Sequence, residues 1–323
     1  MMIEATGLTR YYGDFPALRD ASFSIGEGEI VGFLGLNGAG KSTMLKILAG
    51  LLLPSAGRVT VGGIEASDDS EALRAKIGFL PEDPPLYREM KVREFLSWVG
   101  RVKGRSRAQV AKDLPSVIET CQLGDYQDRV ISELSHGYKK RVGIAQAIIH
   151  RPDVVILDEP ISGLDPKQIV EMRQVVRSLK ERATVLISSH ILTEVSQTCD
   201  RILVIHKGRL VAEGSAAELG TKVGEGTRLR LLLRGTKPAV KRTFEAAGVV
   251  DNHSFSPTDG DTLDVTVELT GDHREALVAA LVEAGIGVRG VADAVSELEQ
   301  IFLEFTRTEA VDGPAPTRPK AKA

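Results

Sequence analysis

Cysteine is almost missing from this chain of 323 residues. Only Cys121 and Cys199 occur, with no ligand-like spacing, which argues against a disulfide framework or a zinc site and for a reducing cytoplasm. Long apolar runs are missing too. No window approaches ~18 uninterrupted apolar residues, so no segment is expected to span a bilayer. The first residues, Met1-Met2-Ile3-Glu4-Ala5-Thr6, lack the charged-then-apolar order of a secretory signal, and a soluble chain is expected. Neither sign of charge dominates: 41 basic residues against 44 acidic ones leave a formal −3, with no global pull towards nucleic acid or an anionic membrane. What the chain does have is 42% apolar residues, enough for the cores of one large domain and one small one.

The first two thirds alternate short β-branched runs with helical stretches, the pattern of an α/β domain. Gly28–Leu34 reads as a strand entering a glycine-rich loop, and Ser42–Ala49 as a helix ending at Gly50. Val154–Leu157 is a continuous apolar run, suited to a strand buried on both faces of a parallel sheet. Asp165-Pro166 supplies a cap and a first-turn proline for a helix to about Glu181, with short strands at Thr184–Ser188 and Ile202–Ile205. Between about 91 and 150 the period is helical, with Val92, Phe95, Leu96 and Val99 on one face, which predicts an inserted helical subdomain. The first domain is therefore expected over 1–220, and Gly220, Gly224 and Gly226 mark a linker at 221–226. A small α+β domain is expected at 227–308: strands at Thr227–Arg234, Val249–Phe255, Thr262–Leu269 and Gly287–Val291, helices at Pro238–Ala247 and His273–Ala284. Strand–helix–strand–strand–helix–strand is the ferredoxin-like order. An amphipathic helix over Ser296–Thr306 and a disordered tail at 309–323 complete the expectation.

Gly35-Leu36-Asn37-Gly38-Ala39-Gly40-Lys41-Ser42 fits the phosphate-loop pattern G-x-x-x-x-G-K-[ST] at every defined position. Glycines let successive backbone N–H groups face phosphates, and the helix that follows adds its positive end. Lys41 can reach the β- and γ-phosphates, the Ser42 hydroxyl can ligate Mg²⁺, and Thr43 follows in the same first turn. A purely structural glycine turn is the competing reading, weakened because the motif follows a strand and opens a helix. Alone, the loop specifies only nucleotide triphosphate chemistry. Asp158 and Glu159 emerge from the Val154–Leu157 strand as a carboxylate pair, suited to holding Mg²⁺ through Asp158 and to polarising an attacking water through Glu159. By itself that pair could equally be a solvated acidic turn; the upstream phosphate loop favours the functional reading.

Leu134-Ser135-His136-Gly137-Tyr138, about 20 residues before the acidic pair, resembles the signature motif of ABC ATPases. The likeness extends to Ser162-Gly163-Leu164-Asp165, to His190 after Ile187-Ser188-Ser189, and to Tyr12 in Arg10-Tyr11-Tyr12-Gly13. These segments occur in family order over residues 3 to 218. The resemblance implies a P-loop ATPase fold with an antiparallel β subdomain and an inserted helical subdomain. It also implies Tyr12 as the adenine-stacking ring, His190 as the switch histidine, and Ser135, Gly137 and Asp165 as contacts to ATP held by an opposite subunit. ATP and Mg²⁺ are the implied ligands, and a head-to-tail dimer the implied working form, most simply a homodimer. Tyr11 remains the alternative to Tyr12 if the register is off by one, and His150 and His206 are read as structural or surface groups.

Two departures stand out. His136 and Tyr138 replace the usual third and fifth signature residues, while Ser135 and Gly137 are kept, so altered packing around a working site is expected. Glu82, after Ile77-Gly78-Phe79-Leu80-Pro81, stands where the family usually has glutamine and adds negative charge to the metal site. With Pro-Leu-Tyr at 85–87 and Ser296-Glu297-Leu298-Glu299-Gln300-Ile301-Phe302, these features resemble the ABC-2 branch, near gliding-motility-type ATPases. That branch implies a separate membrane permease, export, and a location at the cytoplasmic face of the plasma membrane. Rival readings are a soluble ABC protein acting on ribosomes or DNA, and a non-catalytic nucleotide-binding regulator. One cassette without a heptad run or basic excess argues against the first; intact Asp158, Glu159 and His190 argue against the second.

Overall fold

Short aliphatic and β-branched runs pair into three sheets in the computed structural model, which describes residues 1–216, 218, 227–256, 262–271 and 273–293. The expected linker at 221–226, the Ser296–Thr306 helix and the 309–323 tail lie outside the described residues. The chain divides into two compact units, Met1–Ala216 and Ala217–Ala323.

In the first unit, β1 (Ile3–Tyr12), β2 (Phe15–Ile25), β4 (Ala56–Val61) and β5 (Ile64–Glu65) form an antiparallel sheet ordered β2-β1-β4-β5. The second sheet contains β3 (Ile30–Leu34), β6 (Ile77–Leu80), β7 (Val154–Leu157), β8 (Thr184–Ser189), β9 (Arg201–His206) and β10 (Arg209–Gly214). Its order is β10-β9-β3-β8-β7-β6, parallel except for the hairpin partner β10. Every residue of β3 and β7 is buried, as continuous apolar strands covered on both faces must be. The predicted strand from Gly28 begins instead at Ile30, because Gly28 turns with a positive φ before the ladder starts. Register aligns Leu34 with Ser189, Leu157 with Ile187 and Leu80 with Leu157. The carboxyl ends of β3, β8, β7 and β6 therefore finish along one edge of the sheet, within two residues of each other.

Helices cover this sheet: α1 (Lys41–Leu48), α2 (Ser70–Ala75), α3 (Val92–Val102), α4 (Arg107–Thr120), α5 (His136–Ile148), α6 (Pro166–Leu179) and α7 (Leu192–Thr198). The predicted helix to Glu181 ends at Leu179, and Asp165 caps it by accepting the Gln168 N–H at 2.9 Å. The apolar face read from Val92, Phe95, Leu96 and Val99 is buried in one cluster with β7 and α5. A charged clamp ties α4 to the turns that follow α3 and α5. Asp113 on α4 is 2% exposed and accepts from Arg105 at 2.7 Å and from Arg151, just after α5, at 2.6 Å. Among the described residues no helix is long and apolar enough to cross a membrane.

The second unit has β11 (Thr227–Arg234), α8 (Lys237–Ala247), β12 (Val250–Ser256), β13 (Leu263–Leu269), α9 (Arg274–Glu283) and β14 (Gly287–Asp293). All pairs are antiparallel and the order is β12-β13-β11-β14, the ferredoxin-like arrangement. Leu229, Leu231 and Leu233 alternate along β11 onto a core with Val240 and Phe244 of α8 and Leu277 and Leu281 of α9. Burying one such side chain contributes about 1.5–3 kcal/mol.

The Asp113 clamp generates a prediction. Burial alone would raise this carboxyl's pKa, but the hydrogen bonds and charges of Arg105 and Arg151 outweigh it and hold the group below the usual carboxylate range. Asp113→Ala should destabilise the first unit by about 2–3 kcal/mol at neutral pH, measured by urea unfolding through Trp98, the sole tryptophan. A depressed folded pKa gives stability that is present above the unfolded value of ~4 and is lost as pH falls through the folded value. The gap between variant and wild type should therefore close in acid; a gap independent of pH would contradict the clamp.

Candidate active site

Because β3 ends at Leu34, the chain must reverse over Gly35–Gly40 before α1 begins. Gly40 permits this turn: its φ is +111°, and a Cβ there would stand 2.6 Å from the Ala17 carbonyl. Lys41, 5% exposed, folds over the loop and donates to the carbonyls of Gly35 at 2.7 Å and Leu36 at 3.2 Å. Ala39 is buried behind the loop. Leu36, Asn37, Gly38, Gly40, Lys41, Ser42 and Thr43 line a cavity of about 520 Å³, within the usual size for a small-molecule site.

The strand ends beside the loop bring the carboxylates in. Asp158 and Glu159 are 4% and 6% exposed. The Ser188 hydroxyl of β8 donates to Asp158 Oδ1 at 2.6 Å and accepts the Glu159 N–H at 2.9 Å, so one side chain fixes both acidic residues. Ser42 Oγ donates to Asp158 Oδ1 at 3.3 Å. Glu159 adopts φ +49°, a left-handed conformation that a glutamate reaches only at a cost of about 1–3 kcal/mol. In return its carboxylate lies between two cationic or donor groups: Oε1 is 3.4 Å from Lys41 Nζ, and Oε2 is 3.0 Å from His190 Nδ1. Oε1 is buried with no hydrogen bond. Burial of that kind is costly unless a further donor arrives. Ser189, next to His190, accepts the Ile191 N–H and donates to buried Glu194, whose pKa is raised by burial and by the Glu159 charge against the Ser189 hydrogen bond.

The oxygen donors beside the phosphate loop suit a magnesium ion. Ser42 hydroxyl and Asp158 carboxylate meet directly, and Glu82 lines the same cavity. These are hard oxygen donors. Among the described residues no group of three His, Cys, Asp or Glu forms a cage. Few protein ligands and room for water and phosphate oxygens are what Mg²⁺ accepts. The residues fit.

Tyr12 lines the cavity and Tyr11 does not. Phe15, unread in the sequence, lines it too and is 62% exposed. The signal was the Gly13-Asp14 turn: a two-residue hairpin pairs Tyr12 with Phe15 across β1 and β2, so both rings share a face. Ser188 was likewise missed as a site residue, since its partners come from another strand. His150 is buried beside the Ile77 carbonyl, with burial pushing its pKa down to about 4, a structural group as expected.

Ser135, Gly137 and Asp165 are not brought to this cavity. Ser135 is exposed at the head of α5 and makes no capping bond to its own helix. Tyr138 turns away and packs on Tyr126, ring centroids 3.9 Å apart, with the Arg141 guanidinium 4.9 Å from its ring. Tyr138 thus serves the helical region rather than the cavity.

Comparison with known proteins agrees with this geometry. The ABC transporter family model matches residues 18–162. A daunorubicin resistance ATP-binding protein of Streptomyces coeruleorubidus is 35% identical over 94% of this chain and 95% of its own. A linearmycin resistance ATP-binding protein of Bacillus subtilis is 29% identical over 94% and 98%. Among solved structures, a dimeric bacterial ABC transporter cassette superposes with a TM-score of 0.59 and 27% identity, covering 66% of this chain and 98% of that one. With a phosphate-loop motif beside an acidic strand end and a relative 35% identical along nearly its whole length, this chain belongs to the ABC transporter ATP-binding proteins, the ATP-hydrolysing subunits of those transporters.

Proposed function

We propose that this chain powers export through a separate ABC-2-type permease, working as a homodimer at the cytoplasmic face of the membrane and acting on no nucleic acid. The observation that carries the catalytic part is the Glu159 carboxylate, fixed between Lys41 and His190 with Oε1 free of hydrogen bonds. The drug-resistance names of two relatives support the outward direction.

In this reading Tyr12 and Phe15 stack on the adenine, while Gly35 to Thr43 receive the phosphates and Lys41 leaves the loop carbonyls for the β- and γ-phosphates. Ser42 and Asp158, with Glu82 near them, would hold Mg²⁺, which when bound would supply positive charge to offset that on the phosphoryl oxygens. Glu159 takes a proton from water as its oxygen attacks the γ-phosphorus. The bond to the β–γ bridging oxygen breaks and ADP leaves with that electron pair. His190 steadies the carboxylate and faces the γ-phosphate. Ser135, Gly137 and Asp165 face the nucleotide of the opposite copy, where the unspent Ser135 hydroxyl and the N-terminal end of α5 suit an anion. The permease engages the segment from Glu82 to Met90 and the inserted helices.

Glu159→Gln should lower ATP turnover ~100-fold or more and accumulate an ATP-bound dimer, seen by size-exclusion chromatography with ATP. Turnover near the wild-type rate would remove Glu159 from its role. Glu82→Gln should raise the Mg²⁺ concentration for half-maximal hydrolysis roughly fivefold, through loss of one charge near the ion. An unchanged magnesium curve and unchanged transport would leave Glu82 without a special part.

A further inference from the structure

Glu159 keeps a left-handed backbone, and Ser188 explains only its N–H. Its carbonyl is held by a different element. Lys140, in the second turn of α5, is 3% exposed and donates from Nζ to the Glu159 carbonyl at 2.5 Å. A buried ammonium is expensive unless charge and hydrogen bonds compensate it. Burial does push Lys140's pKa down, and the charges of Glu159, Glu82, Glu194 and Asp158 act against that.

The face of α5 that carries Lys140 continues onto the loop that bears Glu82. Three residues on, at Gly143, an added Cβ would meet Leu80 Cδ1 at 2.5 Å and Pro84 Cβ at 3.0 Å, the residues on either side of Glu82. One turn further, Gln146 donates to the Phe79 carbonyl at 3.3 Å. So α5 begins just after Ser135, lies against the Glu82 loop, and grips Glu159 through one side chain.

We propose that Lys140 is a positioning residue for Glu159: by holding its carbonyl against α5, it fixes the left-handed backbone that aims the carboxylate between Lys41 and His190. This rests on Glu159 being the base assigned above. The same contact ties the angle of that carboxylate to the placement of the helix end that Ser135 heads.

The test is a double-mutant cycle on the purified full-length chain, measuring steady-state ATP hydrolysis and the affinity for a fluorescent ATP analogue. Lys140→Met, which removes the donor, should lower kcat by roughly 10- to 100-fold while KM and analogue affinity stay within twofold. Lys140→Gln, which keeps a shorter donor, should recover part of the loss. In a Glu159→Gln background, Lys140→Met should cost nothing further, because the carboxylate it aims is already gone. A kcat within threefold of wild type in Lys140→Met, or an equal loss in both backgrounds, overturns the proposal. If Lys140→Met fails to fold, Lys140→Gln is compared in the same two backgrounds by the same criteria. Failure of the underlying reading is distinct: Glu159→Gln would then itself turn over normally.

Discussion

Parallel pairing of β6, β7, β8 and β3 is the constraint on which the site depends. Strands that run the same way deliver their carboxyl ends to the same edge of the sheet, and these end at Glu82's loop, at Asp158-Glu159, at Ser189-His190 and at the phosphate loop, within two residues of one level. No loop has to reach far. Residues separated by more than a hundred positions, Ser42 with Asp158 and Lys41 with Glu159, meet at 3.3–3.4 Å, and Ser188 reaches Asp158 from the neighbouring strand at 2.6 Å. That is the general habit of open α/β sheets, whose ligands sit beyond the carboxyl ends of the strands.

Burial then does the electrostatic work. Lys41, Lys140, Asp158 and Glu159 are each at most 6% exposed, so their mutual attractions are weakly screened and their geometry is rigid. Two cations and two carboxylates in one dry region offset each other's desolvation, which isolated charges there would not survive. Away from the site, the Asp113 clamp and the Tyr126–Tyr138–Arg141 stack tie the inserted helices to one another.

Much of this was legible in sequence because it is local. The phosphate loop, the acidic strand end, the Asp165-Pro166 helix start and the alternation of Leu229, Leu231 and Leu233 each lie within a dozen residues and follow one periodicity or one motif. What escaped was relational. Phe15 becomes a cavity residue only through its partner across the hairpin, Ser188 only through a strand neighbour, and Lys140 only through a helix crossing behind β7. Gly28 was taken into β3 because its neighbours are strand-like, but its positive φ belongs to the preceding turn. Tyr138 was flagged from its position in the motif, and its role turned out to be packing on Tyr126.

The grip on Glu159 is main-chain at both ends, N–H to Ser188 and carbonyl to Lys140. A scaffold that holds a residue by its backbone is indifferent to which side chain that residue carries. The frame of the site and its chemical competence can therefore drift apart in descent: a copy that lost its carboxylate would keep the shape of the cavity and remain fit to serve as the silent member of a mixed pair.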